Sequence, residues 1–257
     1  MDSQLVPLVI SFITGAITGA LVTYFRHRLA RRRAIERREF DEAQETERVR
    51  RDHYARALAY PKTRDSLRSC NLRGQDLAGL YLAKADLRGA NLARADLSGA
   101  NLEDANLNGA DLREANLRTA NLQKATLKDA NLREANLESA RLDGATMEGA
   151  ALRRADLRSS LVKEASLLSA DLEGADLRGA NLKESNLQSA TLRGANLEAA
   201  NLKSATLWRA DLRGANLKGA YLKGARLGGA KLDRRTAMPE GWERIVASRP
   251  EDEPPPA

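Results

Sequence analysis

The chain has 257 residues, with 42 Lys and Arg against 35 Asp and Glu, which gives a formal net charge of +7. A single cysteine excludes an intrachain disulfide, and neither that cysteine nor the two histidines lie at the spacing of metal ligands. No nucleophile–base pair or phosphate-binding glycine loop stands out either. The sequence therefore disfavours an enzyme and predicts no metal or cofactor.

Residues 1–4 precede an uncharged segment, residues 5–25, whose 21 residues would span about 31 Å as a helix and so match a bilayer core. Directly after it come five arginines with no acid among them, which we expect to contact anionic lipid headgroups: Arg26, Arg28, Arg31, Arg32 and Arg33. The positive-inside rule then predicts a single-pass helix in the plasma or inner membrane, with the N-terminus outside and the rest cytoplasmic. The alternative is a hydrophobic helix that caps a folded domain.

Small residues recur every four positions within this segment and line one face of the predicted helix: Ser11, Gly15, Gly19 and Thr23. Such residues let two helix backbones approach closely in a membrane. The pattern therefore predicts a helix-dimer face and a homodimer, and the alternative is a monomeric helix that is rich in Gly.

Residues 26–60 are dense in Arg and Glu and contain neither Gly nor Pro until Pro61 follows them. This composition predicts a long charged helix that continues out of the membrane. Its apolar residues are spaced too irregularly for a convincing heptad, so we expect a solvated spacer, with a coiled coil as the less favoured alternative. Residues 61–69 then form a linker or an N-terminal cap.

From Leu72 to Leu232 a large apolar residue occupies every fifth position, and 31 of these 33 positions are Leu, with Met147 and Val162 at the others. Taking the Leu as position 0, position −2 is Ala in 28 of 33 cases, and 14 of the 18 glycines lie at position +2. Position −1 is mostly Asn, Asp or Thr, and +1 is mostly charged or polar. A period of five scatters Leu around an α-helix and alternates it across a strand. The backbone must instead turn once in each repeat, with repeats stacking to bury their Leu side chains.

The run Ala95–Asp96–Leu97–Ser98–Gly99–Ala100–Asn101–Leu102 resembles the pentapeptide repeat family, whose unit is Ala-Asp/Asn-Leu-x-x. The resemblance implies an all-β solenoid, a right-handed quadrilateral β-helix with 20 residues in each coil. Residues 70–234 would then form about eight coils stacked into a rod roughly 40 Å long. An interior of Ala and Leu leaves no room in such a rod for a buried ligand.

After the repeats, residues 235–248 look like the segment that closes the last coil in this family. We expect Trp242, Ile245 and Val246 to cover its open end, since an uncovered coil exposes strand edges. Residues 249–257 contain three successive Pro and are predicted to be a disordered tail.

Two outward positions that are usually polar hold Leu168 and Trp208, and Leu161 lies on the neighbouring face. An exposed apolar group on a weakly charged strip is a candidate site for a protein partner, although scattered surface hydrophobes are also normal.

Some relatives that confer quinolone resistance mimic DNA and bind DNA gyrase, which requires a strongly acidic rod. Residues 70–234 carry 25 Lys and Arg against 21 Asp and Glu. This balance disfavours both mimicry of nucleic acid and binding to it. The sequence therefore predicts a non-catalytic scaffold or interaction rod that is anchored in the membrane and displayed in the cytoplasm. The alternative is a gyrase-directed regulator.

Overall fold

The computed structural model describes residues 37–39, 42–49, 51–60 and 66–242. Outside them lie the predicted membrane helix with its dimer face, the arginine cluster, two of the predicted cap residues, Ile245 and Val246, and the predicted tail. None of the helices within the described ranges is long and apolar enough to cross a membrane. The chain divides into two compact units, Met1–Val49 and Arg50–Ala257.

The first unit contributes two described helical segments, α1 (37–39) and α2 (42–49). Every residue of α2 is exposed, and its side chains interact along the helix. Arg48 lies 3.4 Å from the Glu45 carboxylate, and the Thr46 hydroxyl donates to the Glu42 carbonyl at 2.8 Å. These segments fall within the predicted charged helix, and one continuous helix over 26–60 stays a prediction.

The second unit begins with α3 (51–60) and continues into a solenoid. In the solenoid every fifth residue from Asn71 to Lys231 forms an isolated parallel β-bridge, mostly with the residue 20 positions along the chain. The described residues contain no strand longer than one such bridge. A bridge every five residues with a register of 20 produces four sides, and 160 residues in steps of 20 give eight coils. The predicted solenoid is therefore confirmed.

The four sides are named here by the bridge residues that run down each of them. Face 1 runs from Asn71 to Lys231, face 2 from Asp76 to Ala237, face 3 from Tyr81 to Tyr221, and face 4 from Asp86 to Arg226. Adjacent coils are joined by backbone hydrogen bonds, such as the one from the Leu92 amide to the Asp111 carbonyl at 2.7 Å. Each side chain is therefore stacked over the residue 20 positions away.

The interior consists of the residues at positions 0 and −2. All of the large apolar residues from Leu67 to Leu217 at position 0 are fully buried, and the alanines between them are at most about 1 % exposed from Ala95 onwards. Full burial of each Leu stabilises the fold by about 1.5–3 kcal/mol before the cost of ordering the chain. Two serines replace Ala, and the Ser160 and Ser185 hydroxyls each donate to a turn carbonyl at 2.7 Å, which satisfies them.

Each corner of the solenoid is a four-residue turn closed by a hydrogen bond, as from the Ala85 amide to the Leu82 carbonyl at 3.1 Å. The residue at position +2 has a positive φ, between 54° and 76°, in all 33 turns from Ser69 to Gly229. A positive φ at the third residue of a turn is the sign pattern of a type II turn, which favours Gly. The 14 glycines at +2 all adopt this conformation, but the other 19 turns carry a side chain there.

Asn and Asp at position −1 stabilise these corners from outside. The side-chain oxygen accepts a hydrogen bond from the backbone amide two residues later, as from Ser98 to Asp96 at 2.9 Å and from Glu103 to Asn101 at 3.0 Å. Some of these side chains also bond along the column, as from the Asn116 amide to Asp96 at 3.0 Å. The preference for Asn and Asp at −1 therefore follows from the turn.

α3 covers the first coil of the solenoid. Ala57 and Tyr60 of this helix are buried in the same core as the repeats. Three of its side chains bond to backbone groups of the first coil that face away from the second coil. His53 Nδ1 accepts from the Asn71 amide at 2.9 Å, while the hydroxyls of Tyr54 and Tyr60 donate to the carbonyls of Asp76 and Ala83 at 3.2 and 3.3 Å. In later coils the preceding coil binds these groups. The last turns of the predicted spacer therefore act as an N-terminal cap.

The other end is closed by a break in the five-residue period. The Asp233 carboxylate accepts from the amides of Gly214 and Thr236 at 2.8 and 3.1 Å, and the Thr236 hydroxyl donates to the Leu212 carbonyl at 3.0 Å. The hydrogen bonds that its carboxylate accepts, first of all the one from the Gly214 amide, lower the pKa of Asp233. One extra residue enters here, because Asn216 bridges to Ala237 at a register of 21.

The chain then folds over the last coil. Pro239 is buried, and Met238 and Trp242 are half-buried against the core. Trp242 is the one described member of the three residues predicted to close the solenoid.

Candidate partner surface

The predicted partner patch lies on faces 3 and 4. Leu168 and Trp208 occupy position +1 on face 4 in coils that are two apart, and Gln188 lies between them in the intervening coil. Leu161 is a bridge residue of face 3, between Arg141 and Asn181 in its column. Strand spacing separates Leu168 from Trp208 by about 10 Å along the rod. Leu168 and Trp208 therefore share the corner that follows face 4, while Leu161 lies in the middle of face 3, on the other side of face 4 from that corner.

All three side chains of the patch are half-buried. The guanidinium carbon of Arg209 lies 3.9 Å from the centroid of the Trp208 ring, which is a cation–π contact. Sequence reasoning did not include Arg209, although its position directly after Trp208 could have indicated it. The patch is therefore less apolar than predicted, and it presents an aromatic ring under a cation.

Gly229 makes room for this arrangement one coil further along face 4. A Cβ added to Gly229 would lie 3.3 Å from Cγ of Arg209, which is tighter than an ordinary contact. The absence of a side chain at Gly229 thus leaves the stem of Arg209 free to turn towards the ring of Trp208.

The column above the patch changes character within two coils. Lys128 and Glu148 occupy the same +1 position on face 4 and form an ion pair at 3.0 Å. This hydrogen bond raises the pKa of Lys128. Glu148 also accepts from the Ser166 hydroxyl at 3.4 Å. The patch therefore borders a neutralised ion pair on the side of the earlier coils.

Elsewhere on the rod, acids at −1 pair with arginines at +1 of the same repeat. The Arg88 guanidinium approaches the Asp86 carboxylate to 2.8 Å through two nitrogens and lowers the pKa of Asp86 to about 2. Four further repeats contain the same pair: Asp111–Arg113, Asp156–Arg158, Asp176–Arg178 and Asp211–Arg213. These carboxylates are already bound within their own repeats, which leaves them poorly suited to general acid–base chemistry.

A groove of about 600 Å³ on face 1 is lined by both signs of charge: Arg133, Glu134, Arg153, Arg154, Glu173, Gly174, Arg193 and Gly194. Its carboxylates pair with arginines, since Arg154 lies 3.7 Å from Glu134 and Arg153 binds Glu173. Acids that are each neutralised by an Arg do not form the coupled carboxylate pair of a hydrolase.

The described residues contain no group of three His, Cys, Asp or Glu that could hold a metal ion. The one cysteine, Cys70, is buried at position −2 of the first coil, and burial raises the pKa of its thiol. A raised thiol pKa disfavours the reactive thiolate, so Cys70 acts as a small core residue.

Four stacked columns, a filled Leu–Ala interior and an outer surface of short polar turns define a β-solenoid built from five-residue units. Five stretches match the family model "Pentapeptide repeats" with 8 copies: residues 66–104, 95–133, 120–158, 165–203 and 195–234. These stretches cover more than half of the chain, and the chain belongs to the pentapeptide repeat family.

Similar solved structures include two pentapeptide repeat proteins, HetL and Rfr23, and a fluoroquinolone resistance protein. HetL, involved in heterocyst differentiation regulation in the cyanobacterium Nostoc sp. Strain PCC 7120, is 34% identical over 70% of this chain and 92% of its own, with a TM-score of 0.40. Rfr23 from the cyanobacterium Cyanothece 51142 is 22% identical over 72% of this chain and 99% of its own, with a TM-score of 0.22. QnrB1, a plasmid-mediated fluoroquinolone resistance protein, is 16% identical over 64% of this chain and 89% of its own, with a TM-score of 0.32. A comparison with curated proteins found no match.

Proposed function

We propose that this protein is a non-catalytic scaffold, anchored in the membrane by residues 5–25 and presenting its solenoid as an interaction surface in the cytoplasm. The observation that carries the proposal is the filled interior, in which every position-0 side chain from Leu67 to Leu217 is fully buried. Such a core has no room for a substrate, so recognition must use the outer faces. A regular rod with four outer columns presents them at fixed spacing.

The proposed anchor is supported by the sequence. Residues 5–25 are long enough to span a bilayer, and the arginines at 26–33 follow them without an intervening acid. The small residues from Ser11 to Thr23 support self-association of this helix. Replacing Gly15 and Gly19 with Ile should abolish self-association in a membrane reporter, and an unchanged reporter signal would show that this face does not mediate it.

The proposed partner surface is the patch formed by Leu161, Leu168 and Trp208 together with Arg209. It combines aliphatic and aromatic contact area with one cation, the composition that protein interfaces favour at their centre. We expect a protein partner that presents apolar side chains next to a carboxylate able to bind Arg209.

The test is affinity capture of cytoplasmic proteins with the full-length wild type and a Leu168→Glu, Trp208→Glu variant. A matched control, Arg73→Glu with Arg193→Glu, changes two outward +1 residues on face 1. The proposal requires a protein that is captured by the wild type and the control but lost with the patch variant. Identical captured sets for all three would remove the patch from the proposal.

A supercoiling assay with the full-length protein distinguishes the scaffold proposal from the gyrase-directed alternative. Mimicry of nucleic acid requires a dominant negative surface, whereas residues 70–234 carry a small positive net charge. The scaffold proposal predicts that DNA gyrase activity is unchanged at equimolar protein. Inhibition or protection of gyrase would favour the alternative.

A further inference from the structure

Charge is segregated along the solenoid, although its total is nearly balanced. Residues 70–200 carry 17 Lys and Arg against 19 Asp and Glu, a net charge of −2. Residues 201–235 carry nine Lys and Arg against two Asp, a net charge of +7. The last two coils are therefore strongly basic, while the six coils before them are close to neutral.

The two acids in this segment are already bound. Asp211 pairs with Arg213 at 2.5 Å, and Asp233 accepts hydrogen bonds from the amides of the C-terminal turn. Both belong to face 1. Within residues 201–235, faces 2, 3 and 4 therefore contain cations without any acid, and the next acid along the chain is Glu240, after the last bridge of face 2.

Five cations on these three faces are called the basic end: Lys203 and Lys223 on face 3, Lys218 on face 2, and Arg209 and Arg226 on face 4. All five are exposed, and within the described residues none has a carboxylate within ion-pair distance. Glu198, one coil above Lys218, instead accepts from the Asn216 side-chain amide at 3.3 Å.

The earlier coils of face 3 show how the fold otherwise manages such columns. Lys84, Asp104 and Lys124 follow one another at position +2 in three successive coils, so that the sign of charge alternates. At position +1 of the same face, Lys163, Lys183, Lys203 and Lys223 follow one another without alternation. Lys183 is paired with Glu184 at 3.2 Å, but Lys203 and Lys223 have no such partner among the described residues, and like charges stacked at strand spacing repel each other. An anionic partner would relieve that repulsion.

The shape of the basic end indicates which kind of anionic ligand it can bind. Its cations cover three adjacent faces of a convex rod, whereas a nucleic acid strand is tracked by a groove. Three of the five are Lys, a point charge without the bidentate fork that reads phosphates and bases. Tyr221 lies among them on face 3 and is 50% exposed, and tyrosine is enriched where protein meets lipid headgroups. A broad, adaptable anionic surface fits these features better than a linear strand.

We infer that the basic end, on faces 2 to 4 of the last two coils, binds anionic phospholipid headgroups at a membrane surface. Each exposed Lys or Arg near such a surface strengthens binding about fivefold. The interaction is electrostatic and weakens as ionic strength rises. It does not depend on the proposed anchor, since it uses no residue of 5–25, and it shares only Arg209 with the partner patch, so its variants are made at lysines outside that patch.

The test uses the full-length protein in nanodiscs of neutral lipid, so that any insertion of residues 5–25 is complete before vesicles are added. Co-sedimentation is then measured with separate vesicles, either of pure phosphatidylcholine or with about one lipid in three replaced by phosphatidylserine. Capture by the anionic vesicles alone, and its loss at high salt, is expected. Capture by both vesicle types, or by neither, overturns the inference.

Two variants with the same loss of charge locate the site. Lys203→Gln with Lys218→Gln and Lys223→Gln should weaken anionic-vesicle binding about a hundredfold. The control places Gln at Lys84, Lys124 and Lys163 of face 3 and should change binding by less than about threefold. Equal losses in both variants would indicate a response to net charge and overturn the site. Binding of a single-stranded oligonucleotide in preference to the anionic vesicles would also overturn it.

Discussion

At each corner of the solenoid, the backbone conformation restricts the side chain at position +2. The positive φ there costs a residue that has a Cβ about 1–2 kcal/mol. The cost is smaller for Asn and Asp, and Gly, which has no Cβ, avoids it. The chain nevertheless carries side chains at 19 of 33 corners, including the β-branched Thr119 at φ 58°. Because the same side chains form the outer columns, the fold exchanges some backbone stability for surface chemistry.

Gly109 isolates this backbone cost, because a Cβ added there would have no heavy atom within 4 Å. Gly109→Val should lower the free energy of unfolding by about 1–2 kcal/mol, since only the positive φ of 65° opposes the new side chain. Gly109→Asn is the control and should cost a few tenths of that. Chemical denaturation measures both, and equal losses for Val and Asn would contradict the account.

The Asp86–Arg88 pair gives a residue-scale prediction in pH. The Arg88 guanidinium lowers the folded-state pKa of Asp86 to about 2 from an ordinary 3.8. A lowered carboxyl pKa stabilises the folded state above the ordinary value, and this contribution is lost as the pH falls from 3.8 to about 2.

Carboxyl NMR titration should therefore show Asp86 titrating near 2 in the wild type and closer to 3.8 in Arg88→Gln. Arg113→Gln is the control, because it removes the partner of Asp111 and should leave Asp86 unchanged. An Asp86 titration that is the same with and without Arg88 would show that the pair does not hold in solution.

At the scale of elements, the repeats could be predicted because one physical requirement recurs 33 times. Each Leu must return to the same interior, and only a turn every five residues does this. The caps follow from single tertiary contacts instead. Tyr54 and Tyr60 have no periodic partners in the sequence, and their hydroxyls find carbonyls more than 20 residues away.

α3 was therefore predicted as a spacer, although its side chains bond to the free edge of the first coil. Arg209 was missed for the same reason, because its stacking over Trp208 depends on a side-chain rotamer. The charges of each segment can be counted from the sequence. Whether the cations form one surface depends on which residues share a face, and the structure is needed to show this.

The cap formed by α3 makes an element-scale prediction. His53→Ala removes the acceptor of the Asn71 amide and should increase hydrogen exchange at that amide. The Asn91 amide, which donates to the Cys70 carbonyl in the same column, should keep its protection and serves as the internal control. Unchanged exchange at Asn71 would mean that His53 does not cap the first coil.

At the scale of the whole molecule, the protein combines a hydrophobic N-terminal segment with a filled rod whose last two coils are basic. The rod offers no interior for chemistry, so its function depends on where it is held and what its faces bind. The patch around Trp208 and the basic end share Arg209 but are otherwise separate, since an aromatic ring defines the first and unpaired lysines define the second. A membrane anchor would determine which partners these surfaces can reach.

The measurement that tests the central claim most directly is alkaline extraction of cell membranes that contain the full-length protein, followed by protease treatment from each side. The account predicts that the wild type stays with the membrane and that only protease on the cytoplasmic side removes the solenoid. An Ile13→Arg, Ile17→Arg variant, with two charges inside the predicted span, should be released. Release of the wild type in the alkaline wash would contradict the account.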